Sequence, residues 1–314
     1  MKVDARQRPF KIGLFVPHFE QPWNGSCLRW ADIAAMARRA EEVGFDSFWL
    51  PDHLLYRFPQ VYQQGAWDAW SLLAALAATT QTIQIAPLVA CSSFRNPALL
   101  AKVAATIDEI SGGRLILGLG AGWHEPEYAA FGFPFDHRGS RFEEALQIIT
   151  ALLRTGYVDF QGAYYTARDC ELRPRGPRPE GPPILVGGSG QRMLRLTARY
   201  ADAWNADRQN DVAAVRALNA RVDAACHDEG RNPGSLSRTI GIQVDLLSAS
   251  RQPMQPRQWV MAPWPLTGTP EELAVQIRRY SEARVEHMMV WIDPVSVAGI
   301  EAFAPVLDLL DQGA

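Results

Sequence analysis

Three groups of residues in this chain have the types and spacing to do chemistry. The first is Asp52-His53, just past an apolar run that ends at Leu50. A His at the end of a strand can serve as general acid or base near neutral pH. Its plainer role is a hydrogen bond within its own loop, and Asp52 suits orienting the His or capping the next segment. The second is the turn Gly187-Gly188-Ser189-Gly190, between an apolar strand and a helix. Glycines let backbone N–H groups converge on an anion, the helix N-terminus adds positive potential, and the Ser hydroxyl can donate as well. Such a turn can cradle a phosphate, or simply be a tight turn. The third is Gly118-Leu119-Gly120-Ala121-Gly122, which is not GxGxxG and so does not indicate a Rossmann fold. Small residues there let a flat ring approach the backbone. Trp123 follows at once, with His124, Glu125 and Glu127 as polar candidates in what reads as a solvated loop.

These groups must be held by a scaffold, and the apolar pattern shows which. Short apolar or β-branched runs alternate with helical patterns. The runs are Lys11–Val16, Phe45–Leu50, Ile83–Ala90, Arg114–Leu119, Ile184–Val186, Ala203–Asn205, Thr239–Leu247 and His287–Ile292. Eight strands separated by helices pair in parallel through right-handed crossovers. Eight such units in 314 residues predict a single α/β domain over residues 1–314, a (β/α)8 TIM-type barrel. An open doubly wound sheet is the rival, and would usually have six strands. Insertions are expected at about 51–66, 123–140, 157–183 and 248–265. All but the third leave a strand at its C-terminal end, the face that carries active sites in barrels.

Composition narrows the classes further. The chain is 47% hydrophobic and 21% charged with net charge −3, as in ordinary globular proteins and unlike a nucleic-acid surface. No run of 18 apolar residues predicts a membrane span, and the polar N-terminus does not read as a signal peptide. Cys27, Cys91, Cys170 and Cys226 lack CxxC spacing and read as reduced thiols of a cytoplasmic protein. No metal site is expected, since no His/Asp/Glu set has ligand spacing. Aromatic residues crowd the loops. Trp23, Tyr56, Trp67 and Trp123, with His124, are candidates for the wall of a substrate pocket suited to a fairly hydrophobic small molecule.

Several longer segments resemble the bacterial luciferase-like monooxygenase superfamily, especially its branch of F420-dependent oxidoreductases. They are PDHL at 51–54, FRNPALLAKVAATIDEISGGRLILGLGAGWHEPEYAAFG at 94–132, RFEEAL at 141–146, PPILVGGSGQRMLRLTARYADAWN at 182–205, TPEELAVQIRRY at 269–280 and MVWIDP at 289–294. The resemblance implies a TIM-type barrel that binds F420 or FMN, with F420 slightly preferred. It implies a proton-handling His at His53 and a cofactor phosphate at Gly187–Gly190. It also implies a non-proline cis peptide at Leu88–Val89 behind the flavin ring, with Cys91 nearby and Gly120, Ala121 and Gly122 alongside. Some resembling F420-dependent sugar-phosphate dehydrogenases carry a proton-donating Glu where this chain has Trp123, which puts that activity in doubt. With F420 the expected reaction is hydride transfer. With reduced FMN it is oxygen insertion from O2, fed by a separate reductase. A non-catalytic flavin-binding barrel is a further alternative, and a metal-dependent barrel hydrolase has no ligand cluster in its favour. The family also implies a homodimer.

Overall fold

A computed structural model of the protein describes residues 8–20, 25–58, 62–246 and 265–312. Trp23 and positions 248–264 of the last expected insertion lie outside the described residues.

The chain begins with β1 (Lys11–Phe15), α1 (Trp30–Val43) and β2 (Ser47–Leu50), followed by β3 (Leu55–Phe58), β4 (Tyr62–Gly65) and α2 (Ala69–Thr79). Next come β5 (Gln84–Pro87), β6 (Ala90–Cys91), α3 (Pro97–Ser111), β7 (Leu117–Gly120), α4 (Glu125–Phe131) and α5 (Arg138–Thr155). A hairpin of β8 (Tyr157–Gln161) and β9 (Thr166–Glu171) precedes β10 (Ile184–Gly187), α6 (Gln191–Tyr200), β11 (Ala203–Ala206) and α7 (Val212–Asp228). The last elements are β12 (Ser237–Asp245), α8 (Pro270–Arg278), β13 (His287–Asp293) and α9 (Val297–Asp311). Local signals set many of these ends. Asn96 caps α3 through the Ala98 and Leu99 amides, Pro97 occupies its first turn, and Gly112 ends it at φ +65°.

The strands form one parallel sheet in the order β5-β2-β1-β13-β12-β11-β10-β7-β6. Its two ends, β5 and β6, are halves of one barrel strand, separated by the cis Leu88–Val89 peptide. The sheet therefore closes on itself. Ile85 N–H donates to Arg114 O (3.1 Å) and Ile116 N–H donates to Ile85 O (2.9 Å). The expected barrel is present, with its third strand broken where the continuous Ile83–Ala90 pattern hid the break.

Period-two alternation divides the core into two layers. Trp49, Ala86, Ile116, Leu185 and Met289 fill the barrel interior, with Phe15, Leu88, Val89 and Ala203 packed on them. The alternate residues, among them Ile12, Leu14, Ile240, Ile242 and Val290, face the helices. At the N-terminal end of the barrel His287 Nε2 and Ser47 Oγ lie 2.7 Å apart, and Trp49 Nε1 donates to the same hydroxyl (2.6 Å). Burial holds the His287 pKa down to about 3, so the ring is neutral.

Three insertions have more structure than loops. Residues 55–65 form the β3–β4 hairpin, and the Phe19–Ala66 bridge ties its base to the loop after β1. Residues 125–131 form α4, too short for an apolar period to reveal it. The β8–β9 hairpin folds back on α5, where both Glu144 oxygens accept the Ala163, Tyr164 and Tyr165 amides (2.7–2.9 Å).

Candidate active site

β2 ends at Leu50, and three residues later His53 sits at the barrel mouth. Its Nδ1 lies 2.8 Å from Glu127 Oε1 of α4. The other Glu127 oxygen accepts the Leu54 and Leu55 amides (3.0 and 3.4 Å), and the carboxylate is 1% exposed. In a neutral ring, a carboxylate acceptor at Nδ1 favours the tautomer with the proton on Nδ1, in which Nε2 is the acceptor. Nε2 has no partner among the described residues, and the His53 side chain is 15% exposed. An arrangement of this kind is chemically suited to a general base oriented by a carboxylate. Sequence reasoning gave Glu127 little weight because it read 123–140 as a loop. The available signal was its place three residues after His124, in the first turn of a helix opened by Pro126.

Aromatic rings wall the base. The Tyr56 ring lies 4.3 Å from that of His53, Trp123 5.8 Å and Phe19 6.1 Å. Trp123 is half exposed and Tyr56 is buried against Phe19. His124 is buried, and its Nε2 accepts the Arg57 amide (3.0 Å), tying α4 to the β3–β4 hairpin. Burial lowers its pKa, keeping this acceptor neutral. Trp67 stands apart from the group. Its indole donates to Leu28 O (2.9 Å), and its carbonyl meets His18 Nε2 (2.9 Å).

The Asp52 side chain is bonded towards β6 and Arg95. One oxygen accepts the Cys91 amide (3.0 Å) and Arg95 Nη1 (2.8 Å), and the side chain is fully buried. Burial pushes its pKa up and Arg95 pulls it back. Arg95 also pairs with Asp68 (2.8 Å), the cap of α2. Asp52 thus fastens the His53 loop to β6, just beyond the cis peptide. Cys91 is buried with its Sγ 2.9 Å from the Tyr128 hydroxyl, and burial lifts its pKa to about 12. Burial and a raised pKa disfavour the thiolate there.

The glycines of β7 and β10 surround Val89. A Cβ on Gly120 would lie 2.6 Å from Val89 Cγ2, and Cβ atoms on Gly187 and Gly118 would lie 3.2 and 3.3 Å from Val89 Cγ1. These positions make a socket that seats Val89 at the mouth, with Leu88 beside it. Gly122 (φ +75°) faces Cys91 and Tyr128, and Ala121 O accepts the Tyr128 hydroxyl (3.1 Å). Gly120 therefore packs against Val89, while Ala121 and Gly122 pack on Tyr128 and Cys91 just beyond it.

At the expected phosphate turn, much of the backbone is already engaged. Gly188 N–H donates to Asn205 O (3.1 Å), Trp204 Nε1 donates to Gly188 O (2.8 Å) and Arg221 donates to Ser189 O (2.6 Å). What remains for an anion is the Ser189 hydroxyl and the first-turn amides of α6, whose cap Gly190 supplies no side-chain bond. Arg192 stands on that turn, held by Glu143 (2.7 Å) and Ser140 (3.1 Å). A phosphate cradle at this turn would centre on Ser189, Gly190 and the first turn of α6, since Gly188 and the Ser189 carbonyl are already engaged. Among the described residues no group of three or more His, Cys, Asp or Glu side chains is placed to hold a metal ion. Nor is any helix among them long and apolar enough to cross a membrane.

Comparison with known proteins agrees with this architecture. Residues 10–252 match the model of the luciferase-like monooxygenase family. The pyrimidine monooxygenase RutA of Cronobacter turicensis is 30% identical over 99% of this chain and 86% of its own length. RutA of Escherichia coli K12 is 30% identical over 99% and 85%. Among solved structures, an F420-dependent secondary alcohol dehydrogenase superposes with a TM-score of 0.80 at 21% identity, over 96% of this chain and 99% of that one. The monooxygenase RslO1 from Streptomyces bottropensis gives 0.75 at 20% identity, over 96% and 98%. With the family model matched across most of its length and its eight-stranded barrel closed around a mouth that carries His53, this chain belongs to the luciferase-like monooxygenase family.

Proposed function

We propose that this protein is a deazaflavin-dependent oxidoreductase that transfers hydride between F420 and a small, fairly hydrophobic organic substrate. The observation that carries this is the His53–Glu127 pair at the end of β2. Removing hydride from a carbon bearing O–H or N–H also releases a proton, and that proton needs an acceptor beside the reacting carbon. His53 Nε2 is such an acceptor.

The residues at the mouth fit a ring cofactor with a phosphate. Leu88 and Val89, half-buried at the mouth, offer an apolar face for a ring. Ser189, the α6 amides and Arg192 would hold the phosphate. When bound, the cofactor supplies the hydride acceptor. This chain's own groups do the rest. His53 takes the proton at Nε2, Glu127 keeps Nδ1 protonated and the ring in place, and Tyr56, Phe19 and Trp123 keep water from the base. Asp52 and Arg95 hold the His53 loop in register with the bulge.

A binding titration with F420 and with FMN, each oxidised and reduced, tests the assignment. Micromolar binding of F420, with hydride transfer that consumes no oxygen, is expected. Tight FMN binding without F420 binding overturns it. His53→Ala should then lower turnover far more than cofactor affinity. A second reading, an FMN-dependent monooxygenase fed by a partner flavin reductase, draws on the two RutA relatives, which align along nearly the whole chain. Oxygen uptake with reduced FMN is its signature.

A further inference from the structure

Outside the base and the cradle, one polar group at the mouth has no task. Gln243 lies on β12, and its side of that strand is the barrel interior. Two strand positions before it on the same side are Gly241 and Thr239, and the Thr239 hydroxyl accepts Asn205 Nδ2 (2.9 Å), which also contacts Met289 in the interior core. Gln243 is therefore the next interior residue towards the mouth, and it is half-buried there. Its backbone is locked by Asn210, whose Oδ1 accepts the Gln243 amide (3.1 Å) and whose Nδ2 donates to its carbonyl (2.8 Å). Both nearby Asn carboxamides are thus committed. The Gln243 carboxamide makes no hydrogen bond to any described residue.

Its neighbours on the next strands are aromatic. Gln243 pairs in register with Trp291 of β13, and the Trp291 ring stands edge-on to Phe15 of β1 at 5.9 Å. β2, β1, β13 and β12 are consecutive in the sheet. His53 and Gln243 therefore sit at opposite ends of an arc three strand spacings, about 14 Å, long, with the Phe15–Trp291 pair between them. The cradle and the Val89 socket occupy the other half of the barrel.

We propose that Gln243 recognises an imide or lactam edge, an N–H beside a carbonyl, on a ring bound over Phe15 and Trp291. A carboxamide presents one acceptor and a donor side by side, which matches such an edge at two points. A ligand that covers Gln243 strips it of water, so a ring without that edge leaves the amide unpaired and binds worse. Two sources carry this chemistry: the pyrimidine ring shared by flavins and F420, and a cyclic-imide substrate. The proposal rests on the flavin-type reading of the mouth.

Gln243→Leu keeps an apolar side chain there and removes both polar atoms. FMN, F420 and uracil are titrated separately into wild type and variant, followed by cofactor fluorescence and by tryptophan fluorescence. An affinity loss of tenfold or more for FMN or F420 assigns the edge to the cofactor. An equal loss for uracil alone assigns it to the substrate. Wild-type binding that Gln243→Leu leaves within twofold for all three probes overturns the proposal and leaves the flavin-type reading standing. Wild-type protein that binds none of the three overturns both. Gln243→Glu, which keeps an acceptor and loses the donor, should show the same loss, and serves in place of Gln243→Leu if the latter fails to fold.

Discussion

Replacing Glu127 by Gln leaves the shape of the side chain and removes one acceptor from a carboxylate whose two oxygens are both engaged. One side meets His53 Nδ1 at 2.8 Å, the other the Leu54 and Leu55 amides. If the oxygen of the new carboxamide faces His53, its NH2 opposes two backbone donors. If it faces the amides, its NH2 opposes Nδ1–H, and the ring must move its proton to Nε2, where the base is needed. Either orientation loses a charge-assisted hydrogen bond, about 1.5–3 kcal/mol. At about 1.36 kcal/mol per decade, that is a turnover loss of about 10- to 150-fold if it falls on the proton-transfer step. The assay is steady-state turnover and cofactor titration for wild type, Glu127→Gln, His53→Ala and the double variant. Cofactor affinity should hold, kcat should fall, and Glu127→Gln should add almost nothing once His53 is gone, because a positioning residue has nothing left to position. Equal losses in the presence and absence of His53 would refute the coupling and make Glu127 a structural residue alone.

Three further outcomes are expected. Ser189→Asp places a carboxylate at the exposed N-terminus of α6 and should weaken binding of either phosphate-bearing cofactor at least tenfold by titration, with little effect on melting temperature. It is a cleaner probe than Gly188→Asp, because Gly188 (φ +135°) lies in backbone space that non-glycine residues rarely adopt. Cys91, with its pKa raised to about 12, should resist iodoacetamide at pH 8 in the native protein and react after denaturation, as read by peptide mass spectrometry. His287 has a folded pKa of about 3, below the ordinary 6.5, so between those values the unfolded chain binds its proton and the folded chain does not. Its contribution is complete above pH 6.5 and is lost as pH falls towards 3. Buried His18 and His124, also lowered, act in the same direction. Melting temperature should fall between pH 7 and 4, less steeply in His287→Gln; an unchanged slope removes His287 as a source.

The barrel was legible from sequence because its strands and helices carry different periods. Local chemistry also placed His53 at a strand's end, and the Gly-Ser-Gly turn at the start of α6. The resemblance, not the spacing, pointed to the Leu88–Val89 bulge. Partnership could not be read from sequence, since it joins residues far apart in the chain. Glu127 stands 74 residues from His53, in a helix too short to show a period. Asp52 read as a neighbour of its His, yet its bonds run to Cys91 and Arg95, about 40 positions away. Gly118 and Gly120 of β7 read as room for a flat ring and Gly187 of β10 as part of a phosphate turn, and in the fold all three also pack around Val89. A sequence specifies which groups exist and which face of a strand or helix each occupies. Only closing the sheet into a barrel decides which of them meet, because hydrogen bonds and excluded volume act across space and not along the chain.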